Sequence, residues 1–324
     1  MLTVKEIKAP IEQELKEFES FFLDSMRSNV PLLDKIIHYI AKRKGKQIRP
    51  MFVFLVARML GGNGDNKTFS AAALVELLHT ATLVHDDVVD DANERRGFFS
   101  VNALWKNKIA VLVGDYLLSK SLLASIDQKD FASLEVIARA VKAMSEGELL
   151  QLEKSRTLDI TEEVYFEVIR KKTGSLIAAC CETAAISVER HDMAERMRKF
   201  GETIGLAFQI KDDIFDYGDG IEIGKPTGND IRERKVTMPL IYALNHSSIT
   251  IKKELISILK KYNEDKAKVR RAVQLVTESG GVLYAHKRMM ELKEEALAML
   301  HDIPESPSKL ALIGLVEYTT NRLK

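Results

Sequence analysis

Apolar residues recur at intervals of three and four along almost the whole chain. Val164, Val168, Ile169 and Thr173 follow that spacing. No alternating strand segment stands out, so the pattern predicts an all-α fold, a helical bundle. Helices are expected over about 3–27, 31–43, 50–60, 68–91, 100–126, 131–155, 161–188 and 193–217, with several shorter ones to 324. Proline is absent from Met51 to Lys225. Breaks fall at GGNGDN (61–66), NERRGF (93–98), before Thr161, and at YGDGIEIGKPTGND (217–230). Ser306–Pro307 reads as an N-cap followed by proline at the first helical position. Nothing resembles a linker or a short repeat, and the reading is one domain over 1–324.

One stretch opposes its own helix. Residues 83–91 read LVHDDVVDD, at the end of the apolar run AAALVELLHTAT. Asp86/Asp90 and Asp87/Asp91 are like charges at i,i+4, each pair costing a few tenths of a kcal/mol. The negative end of the helix dipole disfavours them again. A positive partner from outside the peptide is therefore expected. The pattern returns as DDIFD at 212–216, so Asp86, Asp87, Asp90 and Asp212, Asp213, Asp216 form two Asp-Asp-x-x-Asp motifs. In a helix the first and last aspartates of each lie one turn apart on one face. Oxygen-only ligands presented this way suit Mg²⁺, which keeps waters and bridges to substrate phosphates. A single copy would read as a solvated acidic helix end. Two copies, each in apolar sequence, favour metal. No EF-hand loop is present.

Composition narrows the partners. With a net charge of +1, no global field points to nucleic acid or an anionic membrane. Any polyanion must be held by local clusters, and these exist. KRKGKQIRP (42–50) gathers five cations before Pro50, which opens a helix, so Lys46 and Arg49 are placed for phosphate oxygens. Arg95 and Arg96 follow the first acidic motif by one loop. Lys172–Thr173 lies on a helix between the motifs, and Lys225 and Lys235 flank the loop after the second. His79 precedes Asp86 by two turns, which puts it on the metal-motif face as a phosphate contact. GDGIEIGKPT mimics a Walker loop, but Pro226 occupies the Ser/Thr position. Cys180 and Cys181 are neighbours in an apolar stretch, unsuited to a disulfide framework. The charged, amphipathic N-terminus lacks a signal core, and no uncharged run approaches the ~18 residues of a membrane span. Cytoplasmic location follows as the expectation.

Taken in order from about residue 40 to 240, GKQIRP, the two DDxxD motifs and RRG resemble the trans-type isoprenyl diphosphate synthases, or polyprenyl synthetases. The resemblance implies a helical bundle around a central cavity, usually a homodimer. It also implies head-to-tail condensation of an allylic diphosphate with isopentenyl diphosphate, using Mg²⁺, three ions with substrate bound. By position, Asp86, Asp90 and Asp212 would be the principal metal ligands, assisted by Asp87, Asp213 and Asp216. Lys46, Arg49, His79 and Arg96 would hold isopentenyl diphosphate. Arg95, Lys172, Thr173, Gln209, Lys225 and Lys235 would hold the allylic diphosphate, and Gln151 of EGELLQ would face the cavity. Two departures stand out: Lys44-Gly45-Lys46-Gln47 replaces the frequent Gly-Gly-Lys-Arg, and Arg234 stands where glycine is often found.

In this family a large side chain four or five residues before the first aspartate stops growth early. Thr82 and Ala81 are small, and Leu77 and Leu78 lie a turn further back, which implies a product of about C30–C45 rather than C15. The alternatives are a geranylgeranyl (C20) synthase and a class I terpene cyclase. The cyclase usually has an Asn/Ser/Glu triad in place of the second DDxxD. A head-to-head synthase would lack this basic pair, a non-catalytic subunit would have lost acidic motifs, and a structural bundle would need no Mg²⁺.

Overall fold

The computed structural model describes residues 2–42, 45–95, 97–157, 161–218 and 227–321. In chain order the helices are α1 (Val4–Lys8), α2 (Glu12–Met26), α3 (Pro31–Ala41), α4 (Ile48–Met59), α5 (Asn66–Val89), α6 (Val101–Trp105), α7 (Asn107–Asp127), α8 (Phe131–Thr157), α9 (Glu162–Ile169), α10 (Ser175–Ser187), α11 (His191–Phe215), α12 (Asn229–Arg232), α13 (Met238–His246), α14 (Ile249–Lys261), α15 (Lys266–Glu278), α16 (Gly281–Ala298) and α17 (Pro307–Asn321). A two-residue hairpin, β1 (Glu94–Arg95) with β2 (Phe98–Phe99), is the sheet among the described residues. The all-α expectation holds.

Three expected helices are divided. The span 3–27 is interrupted by a 3₁₀ turn at Ala9–Ile11, where Pro10 lacks the N–H an α-helix would use. The span 100–126 breaks at Lys106, whose φ of 75 and ψ of 157 belong to a region other than helix. Such a conformation costs a residue with a side chain on the order of 1–3 kcal/mol. The span 161–188 contains a π-helical segment, Arg170–Gly174, between α9 and α10. π-bulges of this kind occur frequently at functional sites.

α10 and α11 pack together most extensively, and glycine permits the approach. A Cβ at Gly205 would lie 2.7 Å from the Gly174 Cα, so the π segment rests directly on α11. Gly147 of α8 does the same from the other side, since a Cβ there would stand 2.8 Å from the Lys171 Cβ. The π segment is thereby held between α8 and α11. The largest apolar cluster joins α4, α5, α10, α11 and α17 through Phe52, Phe54, Leu74, Cys180, Phe200 and Leu312. A second gathers the end of α11 with α13–α16, and a third joins α3, α5 and α7. α7 is long and apolar enough, by length and composition alone, to cross a membrane. It carries Asp115 and Lys120 along its length and lays Val113 and Leu117 against α5.

Candidate active site

Both acidic motifs close a helix. Asp86 and Asp87 occupy the last turn of α5 with Asp90 at its C-cap; Asp212 and Asp213 do so on α11, with Asp216 at the C-cap. Burial then divides each motif the same way. The middle aspartates are inside, Asp87 at 2% and Asp213 at 5% exposure, whereas Asp86 and Asp216 are half-buried and Asp90 and Asp212 exposed. Asp86, Asp90 and Asp212 thus lie on the open face that the spacing predicts, while Asp216 is drawn toward the chain that follows it.

The inner carboxylate of the second motif is the best supported. Tyr165 Oη donates to Asp213 Oδ2 at 2.6 Å, and Gln209 Nε2 donates to Oδ1 at 3.0 Å. Thr173 Oγ1 in turn donates to Gln209 Oε1 at 2.7 Å, so a chain of hydrogen bonds ties the π segment to the acidic motif. Burial raises the Asp213 carboxyl to about 7; the two hydrogen bonds act against that rise and the neighbouring Asp212 charge adds to it. Asp216 has a different task. Its Oδ1 accepts the Asn229 N–H and its Oδ2 the Asp230 N–H, both at 2.9 Å, which pins the start of α12 under α11. Burial raises the Asp230 carboxyl to about 8, with Asp213 and Asp216 adding to the rise.

Lys235 carries a charge that acts on both motifs. Burial disfavours its charge, but a hydrogen bond to Glu233 and the charges of Asp230 and Asp90 outweigh that, leaving the ammonium above its ordinary range. Asp213 also feels Lys235. One cation is therefore within electrostatic reach of α5 and α11 motifs together. The preceding residue, Arg234, sits at φ 57. This is the left-handed conformation glycine takes freely, which accounts physically for the glycine expected there.

Lys172 forms an ion pair with Glu148 and donates to Gln151 Oε1 at 3.4 Å, so the π segment faces EGELLQ of α8. On the far side of α5 lies a cavity of about 500 Å³ between α2, α3, α4 and α5. Arg49, Glu76, His79 and Asp87 supply its polar wall; Phe18, Phe22, Leu23 and Ile40 supply apolar surface. Gly45 and Gln47 of GKQIRP reach it. Lys46 does not line it: its Nζ donates to Tyr318 Oη at 3.2 Å beside a smaller cavity of about 210 Å³ against α1 and α17. Arg96, Lys225 and the Arg95 side chain lie outside the described residues. Of the chain-length positions, Leu77 and Ala81 pack against α7, Leu78 joins the main core, and Thr82 is half-buried, its hydroxyl donating to the His79 carbonyl.

Among the described residues no three His, Cys, Asp or Glu side chains converge into a metal cage. The donors are carboxylate oxygens on open helix ends, which fits Mg²⁺: it takes one or two carboxylates and completes its shell with water and phosphate. Sequence reasoning overlooked Tyr165, Glu148, Asp230 and Glu76. Glu76 had a visible signal, since it lies one turn before His79 on α5.

The polyprenyl synthetase family model matches residues 30–276. The chain is 35% identical to the all-trans-nonaprenyl-diphosphate synthase (geranyl-diphosphate specific) of Rhodobacter capsulatus, over 99% of this chain and 98% of that one. A crystal structure of a decaprenyl diphosphate synthase from the same organism superposes with a TM-score of 0.93 at 33% identity, covering 99% of this chain and all of the other. A geranylgeranyl pyrophosphate synthase from Bacteroides thetaiotaomicron gives a TM-score of 0.83 at 39% identity, covering 98% and 99%. With the acidic motifs closing α5 and α11 as its sequence pattern requires, the chain belongs to the polyprenyl synthetase family.

Proposed function

We propose that this prenyltransferase condenses isopentenyl diphosphate with an allylic diphosphate, head to tail and Mg²⁺-dependently, to a trans-polyprenyl diphosphate of about C30–C45. The observation that carries the reading is that Asp86 and Asp90 at the end of α5 and Asp212 at the end of α11 stand open, with Lys235 in electrostatic reach of both motifs. Asp86, Asp90 and Asp212 would hold Mg²⁺, three ions with substrate bound. When bound, the metal supplies positive charge to the departing diphosphate. Lys172, Thr173, Gln209 and Lys235, with Lys225 and Arg95, hold the allylic diphosphate. Arg49 and His79, with Arg96, hold the isopentenyl diphosphate, and Lys46 would join them only by leaving Tyr318. Asp213 and Tyr165 keep Gln209 in place. The allylic C–O bond breaks, the isopentenyl double bond forms the new C–C bond, and the proton released passes to the departed diphosphate. Apolar walls keep water from the carbocation.

The test is incubation of the intact protein with labelled isopentenyl diphosphate and farnesyl diphosphate, with Mg²⁺ or chelator, followed by chain-length analysis. Label should enter long allylic products only with Mg²⁺; no incorporation would overturn the reading. A C20 product is the second reading, favoured by the 39% identity to a geranylgeranyl synthase.

The chain works as one domain, in keeping with relatives matched over 99% of it, and in the cytoplasm, where the free, buried Cys180 and Cys181 suit reducing conditions. It acts as a homodimer. Val111, Leu112, Leu123 and Ile126 on α7 and Phe131 on α8 are exposed apolar side chains that a second copy would cover. Sedimentation at twice the 36.5 kDa chain mass is the expected result, and a monomer at micromolar concentration would refute it.

A further inference from the structure

We propose that Glu76 is a positioning residue, holding the Arg49 guanidinium so that its outer edge meets the isopentenyl diphosphate; this rests on the reading of Arg49 as a contact to that substrate. Glu76 Oε2 accepts from Arg49 Nε at 3.1 Å. The side chains are 18% and 21% exposed, so solvent does little to screen the pair. Both line the 500 Å³ cavity together with His79. Each is also close enough to α10 for its charge to bear on the buried Cys180 thiol.

Which nitrogen is engaged decides the argument. A carboxylate that takes the two Nη groups competes with phosphate for the same bidentate edge. Here the contact is through Nε, and among the described residues the Nη groups have no acceptor. The fork is thus anchored from behind and left open in front. Glu76 projects from the unbroken α5, where Thr80 Oγ1 donates to its main-chain carbonyl at 2.7 Å, and His79 follows one turn later on the same face. A carboxylate beside a diphosphate site lowers the local positive charge. If charge were all that counted, removing Glu76 would tighten binding. If orientation counts, removal weakens it.

The experiment measures KM for isopentenyl diphosphate at saturating allylic substrate in Glu76→Gln, Glu76→Ala, Arg49→Lys and the double variant Glu76→Ala/Arg49→Lys. Glutamine keeps an acceptor for Nε without the charge, so its KM should stay within about threefold. Alanine should raise KM about tenfold while the allylic KM stays unchanged, as loss of one oriented charge-assisted contact requires. Lysine has no Nε fork to hold, so in the Arg49→Lys background Glu76→Ala should change KM by less than about twofold. An unchanged or lowered KM in Glu76→Ala overturns the proposal, and so does the same tenfold rise in both backgrounds. An Arg49→Lys variant with unaltered KM would instead remove the substrate reading of Arg49, and the positioning role with it.

Discussion

Replacing Asp86 or Asp212 by asparagine should lower turnover about 10³-fold or more while the protein remains at least as stable as before. The activity term follows from charge. A metal-held leaving diphosphate receives several kcal/mol of stabilisation, and each 1.36 kcal/mol is tenfold in rate. The stability term has the opposite sign. Asp86 sits in the last turn of α5, where the helix dipole and Asp90 at i+4 both oppose its charge. Asp212 and Asp216 repeat the arrangement on α11. Neutral asparagine relieves a few tenths of a kcal/mol at each site. The inner aspartates behave otherwise. Asp213→Asn removes the acceptor that Tyr165 Oη and Gln209 use, so it should lose stability as well as rate. Steady-state turnover with thermal melts of the same variants separates the two classes. Near-normal turnover in the Asp86→Asn/Asp212→Asn protein would end the reading of the two acidic motifs as Mg²⁺ sites.

The second large effect concerns product length. Asp86, Thr82 and Leu78 lie on one strip of α5 at successive intervals of four, so Thr82 is one turn, about 5.4 Å, below the first carboxylate. Thr82→Phe should shift the dominant product to about C15–C20, because one helical turn corresponds to roughly one isoprene unit. Ala81→Phe or Ala81→Tyr should shorten the product too, but at a structural cost. Ala81 is 1% exposed and packed with Leu77, Val113 and Leu117, and overfilling such a site costs about 1–3 kcal/mol. Chromatography of dephosphorylated products reads the first effect and a melt reads the second. Full-length product from both Phe variants would show that the growing chain does not run along this face.

The helices that carry the chemistry were legible because their signals are local. The apolar spacing before each DDxxD and the loop residues after it placed α5 and α11 within about two residues. Pro10 was an equally local signal for the break after α1, and the continuous span expected there ignored it. Lys106 offered no such warning. Its conformation runs against the preference of the residue itself, at the junction where α6 and α7 meet and both pack on α5. The site divided the same way. The aspartates and His79 announce themselves by spacing, but Tyr165 reaches Asp213 across 48 positions and Arg49 reaches Glu76 across 27. Such pairs exist only after α4, α5, α9 and α11 have assembled. Lys46 shows the converse. Its motif is plain in the chain, yet its Nζ lies on Tyr318 of α17, on the other side of GKQIRP from His79.

The π segment at Arg170–Gly174 has a consequence for how this stretch can vary. Its wider i→i+5 turn accommodates an extra residue between α9 and α10. A regular helix turns about 100° per residue. Deleting a single position from RKKTG would let the two helices fuse into a regular one, and the side chains inside the segment, Lys172 and Thr173 among them, would lose the directions that carry them to Glu148 and Gln209 even if both were kept. In this segment the number of residues is therefore constrained as tightly as their identity, so insertions and deletions should be rarer here than substitutions.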